Sequence, residues 1–267
     1  MLSDSHGRRI TYLRISVTDR CNLRCSYCMP PEGVSLVGHE EILSFNEIED
    51  FTRVAVSKGV NKVRITGGEP LVRKGIIELI KRLAAIEGIN DLSMTTNGQL
   101  LALFAKELAA AGLKRVNISL DTTDHQKYKE ITRGGDIENV YKGIEAAKEA
   151  GLLPIKLNCV VREDREELDA KMVSEFGLKN GLQVRYIKMM DLHTGSFGVV
   201  DGGDGGDCER CNRVRITANG IVKPCLFSDL GYSIREFGAE RALEMAISNK
   251  PERGEHNNTG EFYNIGG

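Results

Sequence analysis

The sequence of 267 residues contains no tryptophan, only six prolines and few aromatic residues. Its formal net charge of −2 is close to neutral, so no charge excess indicates a nucleic-acid or membrane surface. No apolar run reaches the length of a transmembrane helix, and the first ten residues lack the apolar centre of a signal peptide. We therefore expect a cytoplasmic protein that binds neither nucleic acid nor membrane.

Cysteine is the residue type whose placement is unusual. The chain has seven cysteines, an odd number that suits metal binding in a reducing compartment better than a disulfide framework. Cys159 stands alone within an apolar segment and is expected to be a small core residue. The other six form two triplets, which are Cys21, Cys25 and Cys28 near the N-terminus and Cys208, Cys211 and Cys225 near the C-terminus.

The spacing of the first triplet lets three thiols face one metal centre from a single loop. A tetrahedral zinc site or a cubane cluster normally takes four protein ligands, so three ligands leave one position open. An open iron on a [4Fe–4S] cluster can chelate a small molecule and pass it an electron. The alternatives are a zinc site that lacks its fourth ligand and three buried thiols without a metal.

Short apolar segments alternate with helical patterns up to residue 190. Strands are predicted over residues 13–17, 62–66, 92–95, 115–120, 155–161 and 183–188, with helices near 45–58, 76–85, 101–111, 137–150 and 166–178. This alternation predicts an α/β fold with a parallel sheet. Six units are too few for a closed barrel of eight strands, so we expect a partial (β/α)6 barrel. Residues 1–190 would form the barrel, and residues 191–267 a small Cys-rich appendage with two strands.

Polar and glycine-containing turns follow the predicted strands at the edge where sites in parallel α/β folds gather. One is Gly67-Gly68-Glu69-Pro70, where the glycines allow a ligand to approach the backbone and the carboxylate can hold an ammonium group. Thr95-Thr96-Asn97-Gly98 and Asn117-Ile118-Ser119-Leu120-Asp121 are two more. Taken singly, each is equally well explained by turn and cap residues.

Together, these motifs resemble a known superfamily. The segments SVTDRCNLRCSYCMP, RITGGEPLVR, TTNG and NISLD are similar to the radical S-adenosylmethionine (SAM) enzymes. With CERCNRVRITANGIVKPCLF and the terminal Gly-Gly, the resemblance extends over nearly the whole chain to the GTP 3′,8-cyclases of molybdenum-cofactor biosynthesis. It implies a radical SAM lyase in which SAM, bound at the open iron, is cleaved to a 5′-deoxyadenosyl radical. That radical abstracts the ribose H-3′ of GTP, and the C3′ radical then attacks C8. A reducing electron completes the cyclisation, which gives (8S)-3′,8-cyclo-7,8-dihydroguanosine 5′-triphosphate.

The second triplet has a C-x2-C pair and a distant third cysteine, a pattern that is often a zinc site. The resemblance favours a second [4Fe–4S] cluster instead, whose open iron would bind the purine of GTP. Both clusters and SAM would then face one substrate cavity.

The resemblance also implies residue roles. For SAM the implied residues are Tyr27, Gly67, Gly68, Glu69, Asn97, Ser119 and Met190. For GTP they are Arg14, Lys62, Arg64, Thr95, Lys156, Arg185, Arg213, Val214 and Arg215. Catalytic roles are implied for Arg213 and Arg215 on the cavity wall and for the tail residues Gly266 and Gly267.

Several Lys and Arg side chains in a barrel mouth are costly unless an anion compensates their charge, which fits a triphosphate. Other readings remain open for individual residues. Arg64 could form a salt bridge within the barrel, Lys156 could end a strand in solvent, and Arg213 and Arg215 could lie on a solvated face.

The chain departs from the family between Met190 and Cys208, where the family usually carries a much longer segment. Here the link ends in DGGDGGD, a composition typical of a flexible connection. A natural compact variant, an engineered deletion and a disordered stretch omitted from the chain would each explain it. The departure leaves open whether GTP remains the substrate.

Two other function classes stay in view. A radical SAM enzyme that modifies peptides would also carry a C-terminal auxiliary cluster. A non-catalytic zinc or iron–sulfur scaffold is disfavoured, because it has no use for the turns at the strand ends. We expect GTP as the substrate and an electron-donor protein as partner, while the oligomeric state, a homodimer included, stays open.

Overall fold

The computed structural model describes residues 2–266 of the chain. In this part of the chain a single nine-stranded sheet has the strand order β6-β5-β4-β3-β2-β1-β7-β8-β9. The strands are β1 (Tyr12–Ser16), β2 (Lys62–Thr66), β3 (Asp91–Thr96), β4 (Arg115–Ser119), β5 (Lys156–Val161), β6 (Gln183–Lys188), β7 (Arg213–Ile216), β8 (Ile221–Lys223) and β9 (Tyr232–Ser233). Strands β1 to β7 pair in parallel, whereas β8 and β9 are antiparallel to their neighbours.

Helices connect the parallel strands and continue beyond β9. They are α1 (Phe45–Ser57), α2 (Ile76–Ala84), α3 (Leu101–Ala110), α4 (His125–Thr132), α5 (Ile137–Glu149), α6 (Leu168–Lys179), α7 (Ile234–Phe237), α8 (Ala239–Ser248) and α9 (Phe262–Ile265), with a 3₁₀ turn at Pro70–Val72. Helix α1 begins with a capping box, in which the Ser44 side chain accepts from the Glu47 amide and the Glu47 carboxylate accepts from the Ser44 amide. No helix of residues 2–266 is long and apolar enough to cross a membrane.

The strands have two chemically different faces. Alternate residues such as Leu13, Ile15, Val63 and Ile65 are completely buried in one core that the helices share. The residues between them are mostly polar or cationic, although strands of parallel sheets are usually apolar on both faces. The helices therefore cover one face of the sheet, and the other face borders a cavity.

The six predicted strands are confirmed to within one residue at each end, and the five predicted helices to within two. The sheet does not close on itself among the described residues, as expected of a partial barrel. Helix α4 was not predicted. The C-terminal segment contains three strands and not two, and β7 pairs in parallel with β1, so this segment continues the main sheet.

The core predicts a sharp difference between two leucines on neighbouring helices. Leu79 on α2 is completely buried, whereas Leu103 on α3 is 71% exposed. We expect Leu79→Ala to lower the free energy of unfolding by about 2–5 kcal/mol, because it leaves a cavity in close-packed surroundings. Leu103→Ala, the matched control, should change it by less than about 0.5 kcal/mol. Urea unfolding followed by circular dichroism measures both, and equal losses would contradict this packing.

Candidate functional site

The first cysteine triplet lies in the loop between β1 and α1. A turn forms where the amides of Cys28 and Met29 both donate to the Cys25 carbonyl, at 2.9 and 3.0 Å. The end of α4 holds this loop from outside, since the Ser26 amide donates to the Ile131 carbonyl at 2.9 Å. Arg133, a non-glycine residue with φ of 54°, donates to the Met29 carbonyl at 2.6 Å. The unpredicted helix α4 therefore serves as the support of the cysteine loop.

Three thiols held in one loop offer ligands to a metal centre, and burial keeps them protonated until a metal binds. Burial, together with the charges of Asp121 and of the other two cysteines, raises the pKa of Cys25 to about 12. Burial and the charge of Cys21 also raise the pKa of Cys28 to about 12. Such thiols stay protonated in the absence of a metal, whereas coordination to a metal deprotonates a thiol outright. The Cys21 sulfur also receives two donors, the Leu23 amide at 3.4 Å and the Asn97 side-chain amide at 3.8 Å.

The glycine pair after β2 allows two segments of main chain to touch. A Cβ atom on Gly68 would lie 2.4 Å from the Arg20 carbonyl oxygen. One on Gly67, whose φ is +154°, would lie 2.6 Å from the Thr18 carbonyl oxygen. Larger residues would push the Gly-Gly-Glu-Pro turn away from the loop that leads into the first triplet.

Glu69 is almost completely buried beside this contact. Its carboxylate accepts hydrogen bonds from the Leu71 amide at 3.0 Å, the Thr96 hydroxyl at 2.8 Å and the Asn97 amide at 2.7 Å. Burial outweighs these bonds and raises the pKa of Glu69 to about 7. The charged form of this carboxylate is therefore costly here, and an ammonium group placed beside it would stabilise that form.

Tyr27 and Asp121 connect the cysteine loop to the far side of the sheet. The Tyr27 hydroxyl donates to Asp121 Oδ2 at 2.8 Å, and the Val160 amide donates to Asp121 Oδ1, also at 2.8 Å. Burial raises the pKa of Asp121 to about 6. Asp121 was not among the predicted site residues, although it ends the NISLD motif. Ser119 and Met190, which were predicted, line the same cavity.

The polar face of the sheet carries rows of cations in register across neighbouring strands. Arg14 on β1 stands opposite Arg64 on β2 and opposite Arg215 on β7. In the next row, Tyr12 stands opposite Lys62 and Arg213. Asp91, the acidic residue of this face, pairs with Arg115 at 2.7 Å and with Lys62 at 3.5 Å. The rows leave more positive than negative charge on the cavity wall.

Arg64 is a buried cation whose described contacts are to neutral groups. Its Nε donates to the Ser93 hydroxyl at 3.3 Å, and its guanidinium lies 5.4 Å from the centre of the Tyr12 ring. With the Asn117 amide group turned over, the Asn117 oxygen accepts from both guanidinium nitrogens at 2.8 and 3.1 Å. All of these partners are neutral, so among residues 2–266 Arg64 does not form the salt bridge that was the alternative. Burial and nearby cations lower the pKa of Arg64 to about 10, despite the opposing effect of Tyr12.

Several polar atoms on this wall are buried without a hydrogen-bond partner among the described residues. They are the Tyr12 hydroxyl, the Thr95 hydroxyl and Arg185 Nε. Burial alone would raise the pKa of Tyr12, but the charges of Arg64, Arg14, Lys62 and Arg213 outweigh it and lower that pKa. Unsatisfied donors in a field of positive charge are what an anionic ligand with many acceptor oxygens would satisfy.

The second triplet lies on the opposite side of the same cavity. The Cys211 amide donates to the Cys208 carbonyl at 3.2 Å just before β7, and Cys225 follows β8. Burial disfavours the Cys211 thiolate, but the charge of Lys250 and the Arg213 backbone hydrogen bond lead the effects that lower its pKa. All six cysteines of the two triplets are free thiols that line the cavity. In residues 2–266, no three His, Cys, Asp or Glu side chains are grouped closely enough to hold one metal ion. The thiolate ligands of a [4Fe–4S] cluster bind different irons, so a cluster does not require such a group.

Most of the residues predicted to bind SAM and GTP line this one cavity, but some do not. Lys156 lies outside the lining, although burial and the neighbouring cations lower its pKa. The Val214 side chain belongs to the apolar core, because it points to the other face of β7 from its neighbours Arg213 and Arg215. Gly266 accepts a hydrogen bond from Arg215 at 2.7 Å, and Gly267 lies outside the described residues.

The link that precedes the second triplet forms part of the cavity wall. Gly203, Asp204, Gly205, Gly206 and Asp207 line the cavity, and the Asp204 carbonyl accepts from Arg213 at 2.7 Å. The prediction of a flexible connection missed this role. The lining also includes Tyr12, Asn158, Lys250 and Tyr263, which were not predicted. Only Tyr12 had a signal in the sequence, since it alternates with Arg14 on β1.

Comparison with known proteins gives the class to which this site belongs. Residues 15–171 match the radical SAM superfamily. The fold resembles SuiB of Streptococcus suis bound to SAM, with a TM-score of 0.67 at 17% identity over 93% of this chain, although the chain spans only 66% of SuiB. It also resembles anSMEcpe with bound SAM, with a TM-score of 0.63 at 17% identity, over 90% of this chain and 81% of that protein. The chain is a member of the radical SAM superfamily, whose enzymes use a [4Fe–4S] cluster and SAM.

Relatives of higher sequence identity show to which family within the superfamily the chain belongs. The GTP 3′,8-cyclase of Peptoclostridium acidaminophilum is 42% identical, over 86% of this chain and 84% of the relative. That of Pelotomaculum thermopropionicum is 40% identical over 307 aligned residues, which cover 94% of each protein. Within the superfamily, the chain belongs to the family of the GTP 3′,8-cyclases. Because 307 aligned positions exceed the 267 residues of this chain, that relative has residues that this chain lacks.

The buried carboxyl of Glu69 predicts a dependence of stability on pH. Between its ordinary pKa of 4.5 and about 7, the folded chain binds more protons than the unfolded chain. The free energy of unfolding should therefore fall as pH rises through this range, by on the order of 2 kcal/mol. Glu69→Gln should flatten the slope, as measured by urea unfolding at several pH values.

Glu47 provides the control for this measurement. The hydrogen bond from Arg235 leads the effects that lower the pKa of Glu47 to about 2. Its contribution is lost only as pH falls below 4.5, so Glu47→Gln should leave the slope between pH 5 and 7 unchanged. Asp121, whose pKa burial raises to about 6, adds a slope of the same sign at the acidic end of this range. A slope as steep in Glu69→Gln as in the parent would therefore show that Glu69 is not its source.

Proposed function

We propose that the chain is a GTP 3′,8-cyclase that takes part in molybdenum-cofactor biosynthesis. Its substrate would be GTP and its product (8S)-3′,8-cyclo-7,8-dihydroguanosine 5′-triphosphate, in which C3′ of the ribose is joined to C8 of guanine. The observation that carries this proposal is the excess of positive charge on the cavity wall between the two cysteine triplets. A triphosphate supplies the matching negative charge and acceptor oxygens.

Cys21, Cys25 and Cys28 would hold the first cluster, which with SAM supplies the 5′-deoxyadenosyl radical that removes the ribose hydrogen. Tyr27, Gly67, Gly68, Asn97, Ser119 and Met190 would form the SAM site around it, and Glu69 would accept the SAM ammonium group. This agrees with the cost of a bare carboxylate at Glu69. The hydrogen bond between Tyr27 and Asp121 would hold the aromatic ring in place beside SAM.

The remaining residues would bind and orient GTP. Arg14, Lys62, Arg64 and Arg185 would neutralise the triphosphate, and the Thr95 hydroxyl, which is buried without a partner, would bond to the nucleotide. Lys156 lies outside the cavity lining but near the same cations, where its charge would strengthen attraction of the anion. Val214 would contribute only its main chain, because its side chain is in the core. Orientation and the exclusion of water are the contributions that such a site makes to a radical reaction.

Cys208, Cys211 and Cys225 would hold a second [4Fe–4S] cluster, with its open iron toward the purine. The tail would enter the site from the other side. Arg215 already donates to the Gly266 carbonyl, and a Cβ atom on Gly266 would lie 2.1 Å from the Thr66 hydroxyl on the cavity wall. Gly266 and Gly267 would thus bring main chain, without side chains, close to the substrate.

We place residues 1–190 as the part that generates the radical and residues 191–267 as the part that completes the substrate site. An electron-donor protein would supply the reducing electrons, and free thiols throughout the chain favour the cytoplasm. A peptide-modifying function is not favoured, because the likeness to SuiB and anSMEcpe, at 17% identity, extends to the fold alone.

The division of labour between the triplets can be tested with two variants. Cys25→Ala should abolish SAM cleavage, because it removes a ligand of the cluster that binds SAM. Cys211→Ala should retain cleavage of SAM to 5′-deoxyadenosine but form no cyclised product. Both readouts come from anaerobic incubation with SAM, reductant and GTP, followed by mass spectrometry. Equal loss of SAM cleavage in the two variants would show that the second triplet has a structural role.

The cavity arginines test the substrate assignment. Changing both Arg213 and Arg215 to Ala should reduce cyclised product at least about 100-fold, the loss typical when donors to a reacting group are removed. Iron content and uncoupled SAM cleavage should remain near those of the parent. Arg210→Ala is the matched control, since the Arg210 side chain is 86% exposed and pairs with Asp207. A double variant that converts GTP as fast as the parent would overturn the proposed function.

A further inference from the structure

We propose that two buried cations, Arg8 and Lys250, position the second cysteine triplet for its cluster. We call these two residues the carbonyl clamp, because both hold main-chain carbonyl groups next to the cysteines. The proposal rests on the proposed function in one respect, namely that the triplet binds an iron–sulfur cluster. It assigns a positioning role to Arg8, which precedes β1 and lies far from the triplet in sequence.

Arg8 reaches the triplet from the N-terminal segment. Its Nη1 donates to the Cys208 carbonyl and to the Glu252 carbonyl, each at 2.7 Å, and its Nη2 donates to the Pro251 carbonyl at 2.6 Å. Its Nε donates to the Asp4 carboxylate at 2.6 Å. The residue is 9% exposed. One guanidinium therefore joins the start of the chain, the first ligand of the triplet and the segment at residues 251–252.

Asp4 fixes the direction of this guanidinium. Besides the bond from Arg8 Nε, its Oδ1 accepts from the Arg8 amide at 2.9 Å and from the His6 amide at 3.0 Å. A planar guanidinium held at one edge presents its other nitrogens in fixed directions. Asp4 thus orients the Arg8 side chain toward the carbonyl groups of the C-terminal segment.

Lys250 holds the other two ligands. Its Nζ donates to the Arg213 carbonyl at 2.9 Å and to the Pro224 carbonyl at 2.5 Å. Pro224 directly precedes Cys225, and Arg213 lies two residues after Cys211. Lys250 is 3% exposed and lines the cavity beside the triplet. Both of these partners are neutral, so the charge of this buried ammonium calls for a nearby anion, which a cluster with thiolate ligands would supply.

The cysteines need such support because they are not in regular structure. Cys208 lies in a bend, and Cys211 and Cys225 lie in irregular segments next to β7 and β8, where no ladder of hydrogen bonds fixes them. The clamp joins residue 8, residues 208–213, residues 224–225 and residues 250–252. Charge-assisted hydrogen bonds that are shielded from water are strong enough to set the spacing of these segments. Losing Lys250 would leave the buried Pro224 carbonyl without this donor. Losing Arg8 would remove the donors that join residue 208 to residues 251–252.

The test compares two clamp variants with two controls after anaerobic reconstitution. The clamp variants are Arg8→Gln and Lys250→Met. The control Lys58→Met removes ion pairs from α1 to Glu240 and Glu244 on α8, and Arg53→Gln removes an exposed pair with Glu49. Two cubane clusters amount to about eight irons per chain, and one to about four.

We expect about eight irons in the parent and in both controls, and about four in the clamp variants. Uncoupled SAM cleavage, which reports on the first cluster, should stay near the parent rate in all of them. Arg8→Lys keeps the charge but not the planar fork, so its iron content should fall between the two values. Clamp variants that hold about eight irons would overturn the proposal, as would variants that lose SAM cleavage together with all of their iron.

A second readout separates this proposal from the proposed function. If the parent itself holds only about four irons, the second cluster is removed from the proposed function. Alkylation of the protein as isolated, read by peptide mass spectrometry, then decides on the clamp. In the clamp variants, alkylation of Cys208, Cys211 and Cys225 should be several-fold faster than in the parent. The alkylation rates of Cys21, Cys25 and Cys28 should be unchanged. Unchanged rates at all six cysteines would overturn the positioning role.

Discussion

The cavity wall formed by the described residues carries more positive than negative charge. The alternation of side chains along β1, β2 and β7 directs apolar residues to the helices, and Arg14, Arg64 and Arg215 to the same row of the opposite face. Parallel register then makes these cations neighbours, although like charges side by side are unfavourable. Burial of the apolar face fixes the register of the strands and offsets the repulsion between these cations. An anionic ligand bound at this wall would therefore stabilise the arrangement by compensating the charge of the cations.

The position of β7 explains how two distant cysteine triplets come to share one cavity. Because β7 pairs with β1, the strand after Cys211 runs beside the strand that leads to Cys21. Both triplets are attached to the central strands of the sheet and not to a separate unit. Their separation is then set by the spacing of strands and by the loops that leave them. A parallel addition of this kind also extends the cationic rows by Arg213 and Arg215, so the wall is continuous from one triplet to the other.

The strands followed from local patterns in the sequence, whereas the predicted lining residues followed from the resemblance to the family. In β2, Lys62 and Arg64 alternate with Val63 and Ile65, and this period of two places both cations on the cavity face. The same rule applied to β7 would have placed Val214 in the core. The resemblance to the family had instead implied that Val214 binds the substrate. Contacts that join distant positions left no such pattern. Nothing local connects Tyr27 to Asp121, or Arg8 to Cys208, and the support of the cysteine loop by α4 depends on packing.

The short link shows how backbone alone can complete a cavity. A Cβ atom on Gly206 would lie 1.9 Å from the Gly198 carbonyl oxygen, and one on Gly203 would lie 3.3 Å from Arg185 Nε. The glycines of DGGDGGD thus allow this main chain to lie close to neighbouring atoms. The segment forms part of the cavity wall as well as connecting β6 to the second triplet. Side chains from a longer segment could not enter the space that this main chain occupies. A relative with a longer segment must close the cavity differently, whereas the cationic rows and both triplets lie on the sheet. Shortening the link therefore changes the boundary of the site without altering the strands that carry its charge.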